Sequence, residues 1–157
     1  MALTKIVSGA RTGVNRAALD AALAVHFPCG GWSPADRRAE DGLIPERYPL
    51  TPLLNSGDRQ RTLKNVHDSD GTAILFNQSL TGGTKVTRDL CIREKKPFIV
   101  LDAAQISVER AVKAVRRFID ENDIQTLYVA GPRSSGWAGG YAFALDVIAG
   151  VIGKSHQ

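Results

Sequence analysis

The sequence predicts an α/β protein with a three-layer Rossmann-like fold, in which an open, mostly parallel sheet carries helices on both faces. Two observations support this prediction. Short apolar segments typical of strands alternate with helical segments, and three of the predicted strands are followed directly by glycine-rich loops. Such alternation is the pattern of a parallel sheet whose crossover helices cover both faces. We expect about five strands in one sheet.

Length and composition limit the class of protein. The chain has 157 residues, which fits one domain over 1–157 and is long enough to bury a core without a disulfide or metal. Hydrophobic residues make up 43% and charged residues 23%, which excludes a disordered, coiled-coil or collagen-like chain. The net charge is +4, and 13 arginines outnumber 7 lysines. Because a guanidinium group binds phosphate or carboxylate at two points, the excess of arginine favours an anionic ligand.

The first half of the chain is predicted to contain two strands and two helices. Apolar residues recur every three to four positions in the first helix, and Pro28 with the glycine pair after it ends that helix. The predicted elements are a strand at 3–7, a helix at about 12–25, a polar helix at 58–67 and a strand at 72–76. The segment 32–57 holds four prolines and is predicted to be irregular. Loops of that length are more often functional than idle.

The second half repeats the alternation. Its predicted elements are a helix that opens at 81–84 and ends at 95–97, a strand at 98–101, a helix capped by Ser107, a strand at 126–130 and a final helix from about 141. The final helix is apolar on nearly all sides. This pattern predicts burial on more than one side, either deep within one chain or against a second copy. We expect a homo-oligomer, either a dimer or a tetramer.

Three loops of one character follow strands of the predicted sheet, at 8–13, 79–85 and 131–136. Each combines glycines, hydroxyl groups and one cation, and each precedes a helix whose N-terminus favours an anion. In an open parallel sheet, ligands bind at the carboxyl ends of the strands. We therefore predict that the loops converge on a small phosphate-bearing ligand. The residues predicted to bind it are Gly9, Arg11, Thr12, Gly13, Thr81, Gly82, Gly83, Thr84, Lys85, Gly131, Arg133 and Ser134.

The standard phosphate motifs are absent from these loops. The first loop does not have the spacing of a dinucleotide-binding GxGxxG motif, and the loops lack the spacing and the Lys-Ser/Thr ending of a Walker A loop. The sequence therefore predicts neither NAD nor a hydrolysed triphosphate as the ligand.

A charged run within the irregular segment adds three candidates. It carries five charges in six consecutive residues, and such a run is either a solvated surface turn or a binding element. In the second case, Arg37 and Arg38 would bind a phosphate while Asp41 fixes the loop. Trp32 and Trp137 lie beside glycines, where each could stack on a purine or pterin ring or could cap the core.

Other chemistries find little support in the sequence. Cys29 and Cys91 lack metal-ligand spacing and the histidines are scattered, so no metal site is predicted. No GxSxG motif is present, which argues against nucleophilic catalysis of that type. Because no signal or membrane-spanning segment is visible, we expect a cytoplasmic protein without a membrane partner. Aromatic residues make up 6% with no basic–aromatic run, so nucleic acid is not the expected partner.

The sequence resembles the family whose members are named "putative molybdenum carrier", molybdenum-cofactor carrier-like proteins in the Rossmann-like superfamily that includes cytokinin-activating phosphoribohydrolases. The resemblance spans nearly the whole chain, in order. The matching blocks are 7–9 with 12–14, 16–20, 30–32 with Pro34, 37–42, 48–50, 65–66 with 68–72, Leu-Thr-Gly-Gly-Thr at 80–84 and Val-Ala-Gly-Pro-Arg at 129–133. The resemblance implies a Rossmann-like fold, self-association, and binding of molybdenum cofactor (molybdopterin) or a related nucleotide-like ligand.

Three departures from the family pattern bear on function. Arg11 and Asn15 stand where relatives usually carry Gln and Asp, which makes the first loop more cationic. Ser33 stands where relatives often carry Cys, so no sulfur ligand to molybdenum is expected there. Thr87 stands at the position of the catalytic Glu of the phosphoribohydrolases, and a threonine cannot serve as a carboxylate acid or base.

Two hypotheses follow from these residues. The first is a binding or carrier protein in which the ligand sits over the three glycine loops. The alternative is an enzyme that acts on a nucleotide or nucleotide-sugar, with Asp41 or Glu40 as the acid or base.

Overall fold

Strands and helices alternate along the protein, whose structure is a computed structural model that describes residues 2–153. The strands are β1 (Lys5–Val7), β2 (Cys29–Gly30), β3 (Trp32–Pro34), β4 (Arg38–Ala39), β5 (Gly42–Leu43), β6 (Thr51–Leu53), β7 (Gly71–Phe76), β8 (Phe98–Asp102) and β9 (Thr126–Ala130). The helices are α1 (Val14–Ala24), α2 (Asp58–His67), α3 (Gly82–Arg93), α4 (Val108–Glu121) and α5 (Gly140–Gly153).

Five strands form one parallel sheet in the order β2-β1-β9-β7-β8. β1 lies between its two neighbours, with Ile6 opposite Cys29 on one side and Leu127 on the other. Because all five strands run in the same direction, the loops after β1, β7 and β9 leave the sheet at one edge. The sequence does not predict β2, because two residues that include a glycine carry no strand pattern.

Alternate residues of the central strands face two core clusters on opposite sides of the sheet. Leu127 and Val129 of β9 pack in the cluster that α1, α4 and α5 cover. Tyr128 and Ala130, between and after them, pack with Val66 of α2 on the other side. Successive side chains of a strand point to opposite faces, so this strand is buried on both. Helices on both faces of a parallel sheet confirm the predicted three-layer Rossmann-like fold.

The final helix, α5, lies between α1 and α4. Its buried residues, apart from the glycine at its start, are Ala144, Val147, Ile148, Val151 and Ile152. Packing within one chain therefore accounts for most of the apolar pattern of this helix, and self-association stays a prediction. Among the described helices, none has the length and apolar character needed to cross a membrane.

The segment between β2 and α2 is more ordered than the sequence predicts. β3 pairs with β6 in parallel, and β4 with β5 forms a short hairpin. The guanidinium group of Arg37 donates to the carbonyl oxygens of Pro45 at 2.9 Å and Ile44 at 3.4 Å. The hydroxyl group of Tyr48 donates to Asp20 of α1 at 2.6 Å. These contacts come from tertiary structure, and strands of two or three residues give no periodic signal in the sequence.

Gly131, directly after β9, is predicted to tolerate no side chain. A Cβ atom there would lie 2.5 Å from the carbonyl oxygen of Leu75 and 2.7 Å from a methyl group of Val14. We expect Gly131→Ala to lower the free energy of unfolding by about 1–3 kcal/mol because the packed core must shift. Urea denaturation measures this loss. The matched control is Gly136→Ala, where the nearest atom is Pro132 Cβ at 3.4 Å; an equal loss in both variants would contradict the prediction.

Candidate functional site

A cleft of about 620 Å³ lies at the carboxyl edge of the sheet, and the three glycine loops and α2 contribute to its lining. The structure thus brings the three predicted loops together. The predicted binding residues that line the cleft are Gly9, Arg11, Thr81, Gly82, Gly83, Thr84, Gly131 and Arg133. The other predicted residues, which lie outside its lining, are Thr12, Gly13, Arg37, Arg38, Asp41, Lys85 and Ser134.

The first and third loops are held together by Asn15, near the start of α1. Its side-chain oxygen accepts from the Gly9 N–H at 3.3 Å, and its amide group donates to the Gly131 carbonyl at 3.3 Å. Gly13, with a φ of +77°, lies so close to the third loop that a Cβ atom would be 2.6 Å from the Pro132 carbonyl oxygen. The third loop therefore covers the start of α1. The sequence predicts that this helix N-terminus is open to the ligand, but in the structure it is covered.

Glu40, at the turn of the β4–β5 hairpin, ties the same two loops together. Its carboxylate accepts from the Thr12 hydroxyl, and from the N–H and hydroxyl groups of Ser135 at 3.1 and 2.6 Å. The Thr12 oxygen also accepts from the Ser134 N–H at 3.1 Å. The hydrogen bonds from Ser135 and Thr12 lower the pKa of Glu40 to about 2. Thr12 and Ser134, predicted to bind the ligand, are thus engaged in contacts between loops.

The second glycine loop leads into α3, whose first turn faces the cleft. The first helical hydrogen bond runs from the Lys85 N–H to the Thr81 carbonyl at 3.3 Å, so the three N–H groups between them have no partner within the helix. A Cβ atom on Gly82 or Gly83 would meet no atom within 4 Å. A ligand can therefore approach this backbone closely. The side chain of Lys85, in contrast, is exposed and outside the cleft lining.

α2 contributes residues to the cleft that the sequence does not predict. Arg59 and Arg61 of this helix line the cleft together with the loop arginines. In all, four arginines and one aspartate line it: Arg11, Arg59, Arg61, Arg133 and Asp58. Within the described part of the chain, neither Arg59 nor Arg133 forms a direct ion pair, although the charge of Arg133 contributes to the lowered pKa of Glu40. The signal for these residues is the strongly polar sequence of the helix, because a helix with so few apolar residues must present most of its surface to polar surroundings.

Three aromatic side chains also line the cleft: Trp32, Tyr128 and Trp137. The indole N–H of Trp32 donates to Asp68 at 2.9 Å, and the Lys64 ammonium lies 5.2 Å from the ring centroid. Burial raises the pKa of Tyr128 to about 12, so its hydroxyl group stays neutral. The cleft therefore combines flat ring surfaces with cationic side chains.

Most of the charged run at the hairpin lies away from the cleft. Arg37 uses its guanidinium group to hold its own segment, and Arg38 is exposed on β4. Asp41 accepts from both terminal guanidinium nitrogens of Arg16, at 3.0 and 3.3 Å. The structure thus anchors the loop through Asp41, and it does not bring Arg37 or Arg38 to the cleft because their segment folds along the outside of α1.

Metal-ligating side chains do not cluster in this structure. Within residues 2–153, no group of three His, Cys, Asp or Glu side chains lies close enough to hold a metal ion. Cys29 and Cys91 are outside the cleft lining.

Known proteins resemble this chain in both sequence and fold. The model of the circularly permutated YpsA SLOG family matches residues 6–152. This chain belongs to that family. A crystal structure from Syntrophus aciditrophicus SB, named "putative molybdenum carrier protein", aligns with this SLOG-family chain with a TM-score of 0.93 and 40% identity over 96% of each chain. None of the curated proteins matches the sequence. The resemblance to the molybdenum carriers and the Rossmann-like fold are confirmed.

Glu40→Gln in this SLOG-family protein should change how stability depends on pH. Folding lowers the pKa of Glu40 from its ordinary value of 4.5 to about 2. Its stabilising effect is therefore fully present above a pH of about 4.5 and is lost as the pH falls through about 2. We expect the variant to unfold at a lower urea concentration than the wild type at neutral pH, and the difference to shrink on acidification.

Glu46→Gln is the control for this experiment. Glu46 is exposed and makes no hydrogen bond or ion pair within the described residues. The prediction fails if the urea midpoints of wild type and Glu40→Gln differ by the same amount across the acid range. It also fails if Glu46→Gln lowers the urea midpoint equally. Either result would show that the loop contact does not depend on the ionised carboxylate.

Proposed function

We propose that this protein binds and carries a small phosphate-bearing ligand, either molybdenum cofactor or a related nucleotide-like molecule. One observation carries the proposal: the open first turn of α3, with Gly82 and Gly83, faces a cleft lined by four arginines. The name of the structural neighbour supports a carrier or binding role in general, because that protein is 40% identical to this one over nearly its full length.

The phosphate group would lie over Gly82 and Gly83. Free N–H groups and the positive end of the helix dipole favour an anion at this position. Arg133, on the third loop, lines the same cleft and forms no direct ion pair among the described residues, although its charge also acts on Glu40. Its planar guanidinium group can donate two parallel hydrogen bonds to a phosphate. These groups favour a phosphate in the cleft, whose lining also offers Arg11 and Arg61 as further partners for its oxygens.

The ring of the ligand would lie against the aromatic part of the cleft. Trp32 and Trp137 both line it, and indole rings stack well on flat heterocycles such as a purine or a pterin. The cleft volume of about 620 Å³ lies within the usual range for small-molecule sites, roughly 300–1,000 Å³. The cleft is therefore large enough for a ring together with its phosphate.

The candidate acids and bases do not favour the enzyme hypothesis. Glu40 has a pKa of about 2 and is bonded to two loops, so it holds no proton to donate at neutral pH. The Asp41 carboxylate is paired with Arg16 outside the cleft lining. Thr87 does line the cleft, but its hydroxyl donates to the Gly83 carbonyl at 3.0 Å. A binding protein is the function that this geometry supports best.

Arg133→Ala should weaken the binding of phosphate compounds while leaving the fold intact. Loss of a charge-assisted hydrogen bond costs about 1.5–3 kcal/mol, which is roughly a tenfold to hundredfold loss of affinity. Thermal shift measurements with AMP, ADP-ribose, GTP and molybdenum cofactor provide the readout. A compound present at about 100 times its dissociation constant should stabilise the wild type by about 2.7 kcal/mol.

Lys85→Ala is the matched control, because it removes one positive charge from an exposed position outside the cleft lining. We expect it to bind the same compounds with nearly wild-type affinity. If both variants lose affinity equally, the affinity for phosphate compounds depends on the net charge of the protein and not on the cleft. If no phosphate compound raises the melting temperature of the wild type, the proposed function is wrong.

A further inference from the structure

We propose that Asp58 is an internal competitor for the anionic group of the ligand: it pairs with Arg11 and Arg61 and is displaced from them when a phosphate binds. The inference rests on the proposed function, since it takes the cleft to be a phosphate site. It assigns a role to three residues that lie on two separate elements, the first glycine loop and α2.

The geometry places two cations on one carboxylate oxygen. Arg11 Nη2 lies 2.6 Å from Asp58 Oδ1, and Arg61 Nη2 pairs with the same oxygen. The second carboxylate oxygen makes no hydrogen bond within the described residues. A carboxylate has about four acceptor positions and each guanidinium group has five N–H donors, so the cluster keeps unused donors and one excess positive charge. Such a cluster can still bind an anion of higher charge than a carboxylate.

Burial distinguishes the fixed partners from the displaceable one. The side chains of Arg11 and Arg61 are 28% and 13% exposed, whereas the side chain of Asp58 is 69% exposed. Arg61 also donates to the Ser56 carbonyl at 3.2 Å. Gly57, just before Asp58, has no atom within 4 Å of an added Cβ, so space is open around this point. Arg11 and Arg61 are therefore held in the cleft lining, whereas the Asp58 carboxylate can rotate toward solvent.

When a phosphate displaces Asp58, the two arginines exchange one anionic partner for another, so no unpaired charge is left in the cleft lining. When a phosphate takes the two guanidinium groups, the Asp58 carboxylate becomes hydrated at an already exposed position. A phosphate carries up to two charges and three acceptor oxygens, so it competes better for two guanidinium groups than a carboxylate does. In the absence of ligand, Asp58 offsets the repulsion between the two arginines and keeps them in place. The arrangement favours dianionic ligands over monoanionic ones.

The test compares Asp58→Asn with the wild type, using inorganic phosphate and AMP as probes in isothermal titration calorimetry. We expect Asp58→Asn to bind each probe about tenfold more tightly, because a competing negative charge next to the phosphate has been removed. The matched control is Asp120→Asn, which makes the same charge change at an exposed position on α4. Asp120→Asn should bind both probes like the wild type.

A second variant separates displacement from a general electrostatic effect. Adding Arg11→Ala to Asp58→Asn should remove most of the gain, since the gain depends on the released guanidinium group. Without ligand, the melting temperature of Asp58→Asn should be lower than that of the wild type. Phosphate should raise the melting temperature of Asp58→Asn by more than it raises that of the wild type. A purely structural Asp58 would lower the melting temperature without improving affinity.

The outcomes distinguish this inference from the proposed function. If the wild type binds AMP and Asp58→Asn binds it equally or more weakly, the inference is overturned and the proposed function stands. If the double variant keeps the full gain, displacement from Arg11 is overturned. If neither the wild type nor Asp58→Asn binds phosphate or AMP, both proposals fail. Binding by Asp58→Asn alone would support the competitor role.

Discussion

The carboxamide of Asn15 is the contact on which the shape of the cleft depends. The sheet order places β1 beside β9, so the loops that follow these strands are neighbours, but adjacency alone does not fix their spacing. One end of the amide accepts from Gly9 and the other donates to Gly131. A carboxylate at this position would have no donor for the Gly131 carbonyl. The amide thus holds Arg11 and Arg133 at one cleft.

The fold was predictable because its signals are local in the sequence. The alternation of strands and helices, the apolar run 72–76 and the serine before α4 each act over a few neighbouring residues. Ser107 indeed accepts from the Arg110 N–H at 3.3 Å, as a capping residue does. Parallel pairing then follows from the crossover helices, and convergence of the glycine loops follows from parallel pairing. None of these signals depends on contacts between residues that are distant in the sequence.

The parts of the site that the sequence did not reveal depend on tertiary contacts. Arg61 lines the cleft because α2 packs beside the first loop, and the polar sequence of this helix does not distinguish Arg61 from its solvated charged neighbours. Arg37 lies in a charged run typical of a binding loop, yet its guanidinium group is used by backbone carbonyls nearby. Thr12 and Ser134 are hydrogen-bonded to each other although they lie 122 positions apart in the sequence. Whether a polar group faces a ligand or a second loop is decided by packing.

The cleft has a consequence for folding, because its lining comes from segments near both ends and the middle of the chain. The lining runs from Gly9 to Trp137, so the site is complete only after β9, which is distant in sequence from β1, has joined the sheet between β1 and β7. A ligand that binds there stabilises the complete fold and not any partly folded intermediate. Any ligand affinity of the cleft would therefore depend on the completed sheet, and a chain in which β9 has not joined β1 would lack the site.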